Sequence, residues 1–340
     1  EGLHTNAVYG FLNIMFKILE EEKADYLAVA FDLKEPTFRH KMFADYKGTR
    51  KPMPEELREQ VPLMKEVLTS MGVPILTMAG YEADDILGTV AKRSQAKGLE
   101  VSVVSGDRDL LQLADTHIKI RIPKTSRKGT EIYDYYPEDV KREYQVTPRE
   151  FIDVKALMGD SSDNIPGVPS IGEKTATSLI TAYGSIENIK AHLDEVKPPR
   201  AKKALEEHYD MAVMSKELAL ICLDCPIDFS WDEARLTNLY TPEAYQYMKR
   251  LEFKSILTRF DVQSMGGASI EEKFWTVEEL AGAEEVFERA EGAEIVGFQL
   301  IEGKDGAAGL AICFGEEEIY GIPVSGFMTA AYLCDKIRSL

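Results

Sequence analysis

Five acidic side chains lie at two places between residues 78 and 113. One group opens a helical stretch, and the other follows the valine-rich segment 101–104; Asp32 follows the apolar segment 27–31 in the same way. Crowded carboxylates repel one another unless cations neutralise them. A set of carboxylates without nearby His or Cys favours Mg²⁺ or Mn²⁺. The acids of these three sites are Asp32, Glu82, Asp84, Asp85, Asp107 and Asp109.

An ordinary structural explanation is available for each acidic site taken alone. Acids in a first helical turn interact favourably with the helix dipole, and an Asp after a strand commonly caps the next helix. Three consecutive strand-to-helix junctions fit that explanation less well. The carboxyl ends of parallel strands meet at one edge of a sheet, where ligands bind. The pattern therefore predicts one shared metal pocket.

The elements that would position these acids alternate along the chain. Apolar, β-branched segments at 27–31, 73–77, 100–104 and 118–122 are separated by stretches with helical periodicity. This alternation predicts an α/β domain over residues 1–158, with a mainly parallel sheet and helices on both faces. Apolar residues at helical spacing also predict a helix over residues 6–22, before the first of these strands. Because this helix precedes that strand, we expect an earlier strand upstream of Glu1.

Basic residues are concentrated in two segments of an acidic chain. The net charge is −18, of which residues 271–340 contribute −10. The first segment interleaves bases with Phe38, Phe43 and Tyr46, which suits a threaded single strand because aromatic faces stack bases while cations hold phosphates. A solvated mixed-charge surface is the alternative for each segment. The bases are Arg39, Lys41, Lys47, Arg50 and Lys51 in the first segment and Lys119, Arg121, Lys124, Arg127 and Lys128 in the second.

Another acidic turn, with Asp160 and Asp163, follows a helix that a capping box at Thr147 would begin. Gly167 and Gly172 then bracket a short apolar segment. Small residues at these positions predict a helix-hairpin-helix with close backbone approach. Free N–H groups at the start of its second helix would bind a DNA phosphate. The residues of that helix start are Lys174 and Thr175.

The remaining sequence predicts three further parts. Residues 159–262 form a helical subdomain, with helical periodicity throughout residues 185–260. Residues 263–272 are small and polar enough for a linker. Residues 273–340 begin a second, truncated α/β domain, with a capped helix starting at Thr276 and strands near 294–300, 308–314 and 319–323.

Composition excludes several classes of protein. No apolar run approaches the roughly 18 residues that a membrane span requires, and the first residues lack the pattern of a signal peptide. We therefore expect a cytoplasmic protein. Four cysteines are too few for a disulfide framework, and Cys222 and Cys225 have no second pair or nearby His to complete a zinc site.

Four motifs occur in the order and spacing of a known family. They are YKGTRKPMP, GYEADDILGT, SGDRDLLQL and GDSSDNIPGVPSIGEKTA. On these motifs, residues 1–262 resemble the amino-terminal 5′ nuclease region of the bacterial DNA polymerase I family, which belongs to the flap endonucleases. From residue 273 the chain is similar to the start of that family's 3′–5′ exonuclease-like domain, which is ribonuclease H-like.

The resemblance implies a PIN/5′ nuclease-like fold and a monomeric, structure-specific nuclease that cuts DNA at 5′ ends or flaps in branched or nicked duplexes. It implies two divalent ions, Mg²⁺ or Mn²⁺, that activate water and stabilise charge on the phosphate. It assigns Lys47 and Arg50 to steering the scissile phosphate. By motif, the metal ligands are Asp32, Glu82, Asp84, Asp85, Asp107, Asp109, Asp160 and Asp163. The DNA-contacting residues are Arg39, Lys47, Arg50, Gly167, Gly172, Lys174 and Thr175.

Two features depart from the family pattern. The family begins with a strand that carries a further metal-binding Asp, which we expect upstream of this sequence. Active 3′–5′ exonucleases carry Asp-x-Glu on the first strand, whereas residues 295–300 contain no carboxylate, so we expect that activity to be absent. The alternatives are a non-catalytic module that binds branched DNA and a metal-dependent ribonuclease. Cleavage with and without Mg²⁺, on DNA and RNA flaps, separates the three.

Overall fold

The computed structural model describes residues 2–126, 129–260, 274–303, 306–314 and 318–340. They form two compact units, Glu1–Ile256 and Leu257–Leu340. No helix of these described ranges is long and apolar enough to cross a membrane.

Up to residue 257 the elements are α1 (Asn6–Glu22), β1 (Val29–Ala30), α2 (Phe38–Met42), α3 (Glu55–Arg58), α4 (Gln60–Ser70), β2 (Ile75–Leu76), α5 (Ala83–Ala96), β3 (Val101–Val104), a 3-10 helix (Arg108–Leu113), β4 (Ile118–Ser126), β5 (Gly129–Tyr135), α6 (Pro137–Tyr144), α7 (Pro148–Met158), α8 (Glu173–Tyr183), α9 (Ile186–Ala191), a second 3-10 helix (Leu193–Glu195), α10 (Pro199–Ala219), α11 (Trp231–Ala234), α12 (Pro242–Arg250) and α13 (Lys254–Leu257).

The strands of the first unit form two sheets. Strands β1 and β2 pair in parallel, and β3 pairs in parallel with β4. The predicted parallel pairing is confirmed at both pairs, but the single sheet predicted from the sequence is divided into two. Strand β5 joins β4 as an antiparallel hairpin, which makes the second sheet mixed. Strand β4 is longer than the predicted 118–122, and its hairpin partner β5 was not predicted.

Helix α1 is amphipathic and follows the predicted bounds. Val8, Leu12 and Phe16, spaced four residues apart, are buried on its inner face. The helix packs near α4, whose buried Gln60 accepts a hydrogen bond of 2.7 Å from the backbone N–H of Ala7. A side chain of α4 therefore satisfies a backbone donor that the first turn of α1 leaves free.

The predicted division at residue 158 does not separate two hydrophobic cores. Ile120 of β4, Leu157 of α7, Ile180 of α8 and Leu205 of α10 are fully buried in one continuous cluster. The subdomain is also not helical throughout, because residues 220–230 contain no helix and run beside α5. Arg93 of α5 holds that segment by donating to backbone carbonyl oxygens at 2.7 and 2.8 Å.

The turn between α7 and α8 has the predicted hairpin form, and two glycines pack against each other inside it. Gly159 and Gly167 have φ angles of 74° and 63°. A Cβ atom on Gly167 would lie 2.3 Å from the backbone nitrogen of Gly159. Gly172 is the N-cap of α8, with open space where its Cβ would be. Close approach thus requires Gly167, whereas Gly172 leaves the helix start uncovered.

The second unit contains a four-stranded mixed sheet. Its elements are β6 (Phe274–Thr276), α14 (Leu280–Glu291), β7 (Val296–Gly303), β8 (Gly306–Phe314), β9 (Glu318–Pro323) and α15 (Ala330–Ser339), with strand order β6-β9-β8-β7. The predicted α/β class is observed. The helix predicted to start at Thr276 begins at Leu280 instead, and Thr276 belongs to strand β6. The proposed linker 263–272 lies outside the described residues, and the ribonuclease H-like assignment stays a prediction.

Replacing Gly167 with Ala should destabilise the first unit by at least about 2 kcal/mol, because positive-φ strain and overpacking each contribute about 1–3 kcal/mol. Gly172→Ala is the matched control, with an expected cost below about 1 kcal/mol at an N-cap. Urea unfolding measures both values. Equal stabilities of the two variants would contradict the packing described for this turn.

Candidate active site

The first three acidic sites of the sequence meet at the strand ends. Asp32 follows β1, Asp107 follows β3, and Asp84 lies in the first turn of α5. Burial, followed by the charges of Asp107, Asp32 and Glu82, raises the pKa of Asp84 from 3.8 to about 7. Asp32 is anchored at this edge because its Oδ1 accepts a 2.7 Å hydrogen bond from the backbone N–H of Ala83. The predicted gathering of these acids is thus observed.

A second group of acids surrounds the buried ammonium of Lys155. Its Nζ donates to Asp109 and, at 2.6 Å, to Asp160. Burial raises the pKa of Asp109 to about 6; Lys155 opposes this shift, while the charges of Asp107 and Asp160 add to it. Burial also acts to raise the pKa of Asp160, but hydrogen bonds from Lys155 and Ser162 bring it down to about 2. Lys155 was not among the residues predicted from the sequence.

Asp107 links the two groups, since its charge acts on both Asp84 and Asp109. Within the described ranges, no three carboxylate, imidazole or thiol groups converge as a preassembled metal site. At both groups the acids nevertheless outnumber the cations that pair with them: among the described residues Lys155 pairs with both Asp109 and Asp160, and Asp32 and Asp84 form no ion pair. Oxygen-only carboxylate donors of this kind fit a hard divalent cation such as Mg²⁺ or Mn²⁺.

The segment with the motif YKGTR lies against the acids. Lys47 donates to Glu82 at 2.6 Å, and Arg50 pairs with Asp163. The backbone N–H of Lys47 also donates to the carbonyl of Asp163 at 2.8 Å. Buried Tyr46 donates to Glu82 at 3.0 Å, and lies 3.3 Å from Asp163. Tyr46 was one of the aromatic residues expected to stack bases. Its hydroxyl instead hydrogen-bonds to the acids of the site.

Two predicted site residues have a different role. Arg39, predicted to contact DNA, is only 2% exposed, and Asp85, predicted to bind metal, is fully buried. They form a two-pronged ion pair with both N···O distances at 2.7 Å. The remaining capacity of Asp85 is taken by backbone N–H groups of Glu82 and Cys222 at 3.0 and 2.8 Å. Neither side chain is free for a ligand, so both are removed from the site.

Some residues of the predicted hairpin are also unavailable to a ligand, whereas others are accessible. Gly167 is enclosed, and its backbone N–H donates to the buried hydroxyl of Ser215 at 3.0 Å, so it is not available to a phosphate. Lys174 is exposed in the first turn of α8, and Thr175 is half-buried there. With Gly172 at the N-cap, these residues leave the start of α8 accessible, as the hairpin prediction requires.

The second basic segment is committed to ion pairs. Arg121 pairs with Glu21 at 2.6 Å and with Asp134 at 2.8 Å, and Lys119 pairs with Glu22 at 2.7 Å. These ion pairs therefore largely neutralise the charges of Arg121 and Lys119. Lys124 lies over the Tyr133 ring, and the other two bases fall outside the described residues. This segment is a weaker site for a polyanion than the sequence analysis predicted.

Two family models match this chain. One, described as the 5′-3′ exonuclease N-terminal resolvase-like domain, matches residues 1–145; the other, the 5′-3′ exonuclease C-terminal SAM fold, matches residues 146–241. The chain belongs to the 5′-3′ exonuclease family. The chain is 46% identical over 265 residues to the DNA polymerase I of Bacillus caldotenax and to that of Bacillus subtilis (strain 168). These matches cover 78% of this chain and 30% of each relative. The predicted resemblance is confirmed.

Solved structures show the same fold. The T5 5′-exonuclease with bound zinc superimposes with a TM-score of 0.56 at 21% identity, covering 74% of this chain and 91% of that chain. A bacteriophage T5 flap endonuclease in complex with DNA and metal ions gives a TM-score of 0.53 at 21% identity, covering 74% and 88%. The predicted PIN/5′ nuclease-like fold is confirmed, and the predicted helical subdomain corresponds to the SAM fold of the second family model.

Removing the Arg39 guanidinium should be strongly destabilising, because it would leave the Asp85 carboxylate buried without a counter-charge. We expect Arg39→Met to cost about 3–5 kcal/mol. Arg58→Met removes an exposed arginine paired only with Glu55 and should change stability by less than about 0.5 kcal/mol. Urea unfolding of both variants tests this; a loss for Arg39→Met as small as that of the control would contradict the buried role.

The raised pKa of Asp84 predicts a pH-dependent effect of Asp84→Asn. In metal-free protein the native state holds this proton between the ordinary carboxyl value and about 7, whereas the unfolded state has lost it. Stability contributed by the protonated form is therefore lost as pH rises from the ordinary carboxyl value to about 7, and none of it remains above that pH. An amide does not ionise, so the stability of the variant relative to wild type should be higher at pH 8 than at pH 5.

Unfolding in urea with EDTA at both pH values measures this difference. The exposed acid Asp210 on α10 provides the control Asp210→Asn, for which no pH-dependent difference is expected. A gain for Asp84→Asn of the same size at pH 5 and pH 8 would show that Asp84 does not titrate near neutrality.

Proposed function

We propose that this chain hydrolyses phosphodiester bonds of DNA at 5′ ends or flaps, using two divalent ions. The observation that carries the proposal is the pair of acid groups joined by Asp107, each with uncompensated charge. Glu82 and Asp163, which lie against Lys47 and Arg50, complete the acids at this edge. The proposed ligands are Asp32, Glu82, Asp84 and Asp107 for one ion and Asp107, Asp109, Asp160 and Asp163 for the other.

When bound, the ions would activate a water molecule and neutralise charge on the phosphate oxygens. The chain's own cations hold the substrate. Lys47 and Arg50 lie against the acids and would turn from Glu82 and Asp163 to the oxygens of the scissile phosphate. Tyr46 keeps Glu82 in place. The exposed start of α8, with Gly172, Lys174 and Thr175, would bind a duplex phosphate through its free N–H groups.

The whole-protein context is also a proposal. The 46% identity to DNA polymerases I supports a place in a longer polymerase I-like protein that acts in DNA replication and repair. The T5 structure with DNA and metal ions supports branched, nicked or flapped DNA as substrate. We propose a cytoplasmic monomer, with Mg²⁺ or Mn²⁺ as the ions. Residues 273–340 would be an inactive exonuclease-like part, since β7 offers Phe298 and Leu300 where ligands would be needed.

One observation favours a second candidate, a non-catalytic module for branched DNA. The chain's cations already pair with several of the acids, and the described carboxylates do not converge on a common point. Mg²⁺-dependent cleavage of a 5′-flap DNA distinguishes the two, since a binding module would retain the flap uncut. A parallel RNA flap separates a deoxyribonuclease from the ribonuclease alternative.

The double variant Asp107→Asn with Asp109→Asn should lose cleavage while binding flap DNA within a few fold of wild type. These acids are proposed to hold ions and to make no phosphate contact. We expect the rate to fall at least about 100-fold, because even residues behind metal ligands contribute about 10–100-fold. Asp210→Asn should cleave normally. Wild-type rates in the double variant would remove both residues from the site.

A further inference from the structure

A groove of about 1170 Å³ leads from the acids to helix α8. It exceeds the roughly 300–1000 Å³ of a small-molecule site, which favours an extended ligand. Asp107, Asp109 and Asp160 are among its lining residues. Helix α8 also lines it, with polar side chains three and four residues apart on one face. These α8 residues are Lys174, Thr177, Ser178 and Thr181.

The α8 face suits a nucleic-acid backbone. Hydroxyl and lysine side chains supply many of the phosphate and sugar contacts that proteins make with DNA. Lys174, Ser178 and Thr181 are exposed, so these groups are accessible from the groove. The face therefore adds polar groups to the wall of the groove beside the start of α8.

Three basic residues line this groove, and only one is already neutralised. Lys155 is buried and paired with Asp109 and Asp160. Arg108 and Lys174 are exposed, and neither forms a salt bridge or hydrogen bond within the part of the chain that the structure describes. Arg108 stands between Asp107 and Asp109 in the sequence. It does not pair with them, because adjacent residues of a 3-10 helix point in different directions.

The charge of the groove explains when an anion could enter it. Five acids and three bases line it, a formal charge of −2, which repels a polyanion. The two divalent ions of the proposed function would convert this to +2. Arg108 would then be the unpaired cation at the acid end, and Lys174 its counterpart at the α8 end. The acids are Asp107, Asp109, Glu143, Asp160 and Glu173.

We propose that Arg108 binds a backbone phosphate of the DNA strand in this groove, close to the bond that is cut, and that the α8 face carries the same strand toward Lys174. Arg108 lines the same groove as Asp107 and Asp109, so its guanidinium can contact a strand that reaches these acids without being a ligand of the ions. The inference rests on the proposed function, which brings a phosphate strand to these acids.

The test compares binding of a fluorescent 5′-flap DNA at several KCl concentrations in the presence of Ca²⁺, an oxygen-binding divalent ion. Gel electrophoresis shows whether the DNA remains intact. Arg108→Gln should lower the slope of log affinity against log salt by about 0.9, the value for one phosphate contact. Lys174→Gln should do the same, and the double variant should lose about twice that slope.

Arg149→Gln is the matched control, because Arg149 is exposed, unpaired within the described ranges and absent from the groove. Its slope should equal that of wild type. Thermal unfolding of Arg108→Gln should also match wild type, since an exposed unpaired side chain contributes little to stability. Normal unfolding with a reduced slope supports a contact with DNA over a structural role.

The outcomes separate the two claims. If wild type binds flap DNA and Arg108→Gln keeps the wild-type slope, the Arg108 proposal is overturned and the proposed function stands. If Arg149→Gln lowers the slope equally, the effect is one of net charge and the proposal is likewise overturned. If wild type does not bind flap DNA, the proposed function fails and the Arg108 proposal fails with it.

Discussion

The buried ion pair between Arg39 and Asp85 is the constraint on which the site depends. Arg39 belongs to α2 and Asp85 to the first turn of α5, and Arg39 also donates to the carbonyl oxygens of Leu218 and Leu220, at the end of α10, at 2.9 and 2.6 Å. Buried charges are tolerated only when their hydrogen-bonding capacity is satisfied. Three distant segments are thereby held together, and the first turn of α5, which carries Asp84, is held in place.

The carboxylates around this turn repel one another electrostatically. Lys155, Lys47 and Arg50 relieve part of it, yet the pKa values of Asp84 and Asp109 stay well above the ordinary carboxyl range. A chain selected for stability alone would not collect these charges, so their retention is consistent with function. The same ion pairs join the YKGTR segment to the hairpin turn, so the elements proposed to hold DNA and the acids proposed to hold ions share contacts.

The sequence by itself determined the features that depend on neighbours along the chain. The bounds of α1, the capping box at Thr147 and the acids at the ends of β1 and β3 follow from spacing, turn chemistry and apolar periodicity. The position of the hairpin turn follows from its glycines. These signals act over three to five residues; β1 and β3 belong to different sheets, so the meeting of their acids depends on how the two sheets pack.

Only the tertiary structure decided which members of each group face the site. Arg39 and Lys47 come from one basic segment. Arg39 is buried because it pairs with Asp85 and with the Leu218 carbonyl, which lie 46 and 179 residues away along the chain. Asp84 and Asp85 are adjacent, yet only Asp84 carries uncompensated charge. Lys155 lies in an apolar helix and becomes a counter-ion only when Asp109, 46 residues distant, folds against it. The local spacing of residues does not predict such pairings, because burial and charge compensation arise from contacts between distant segments.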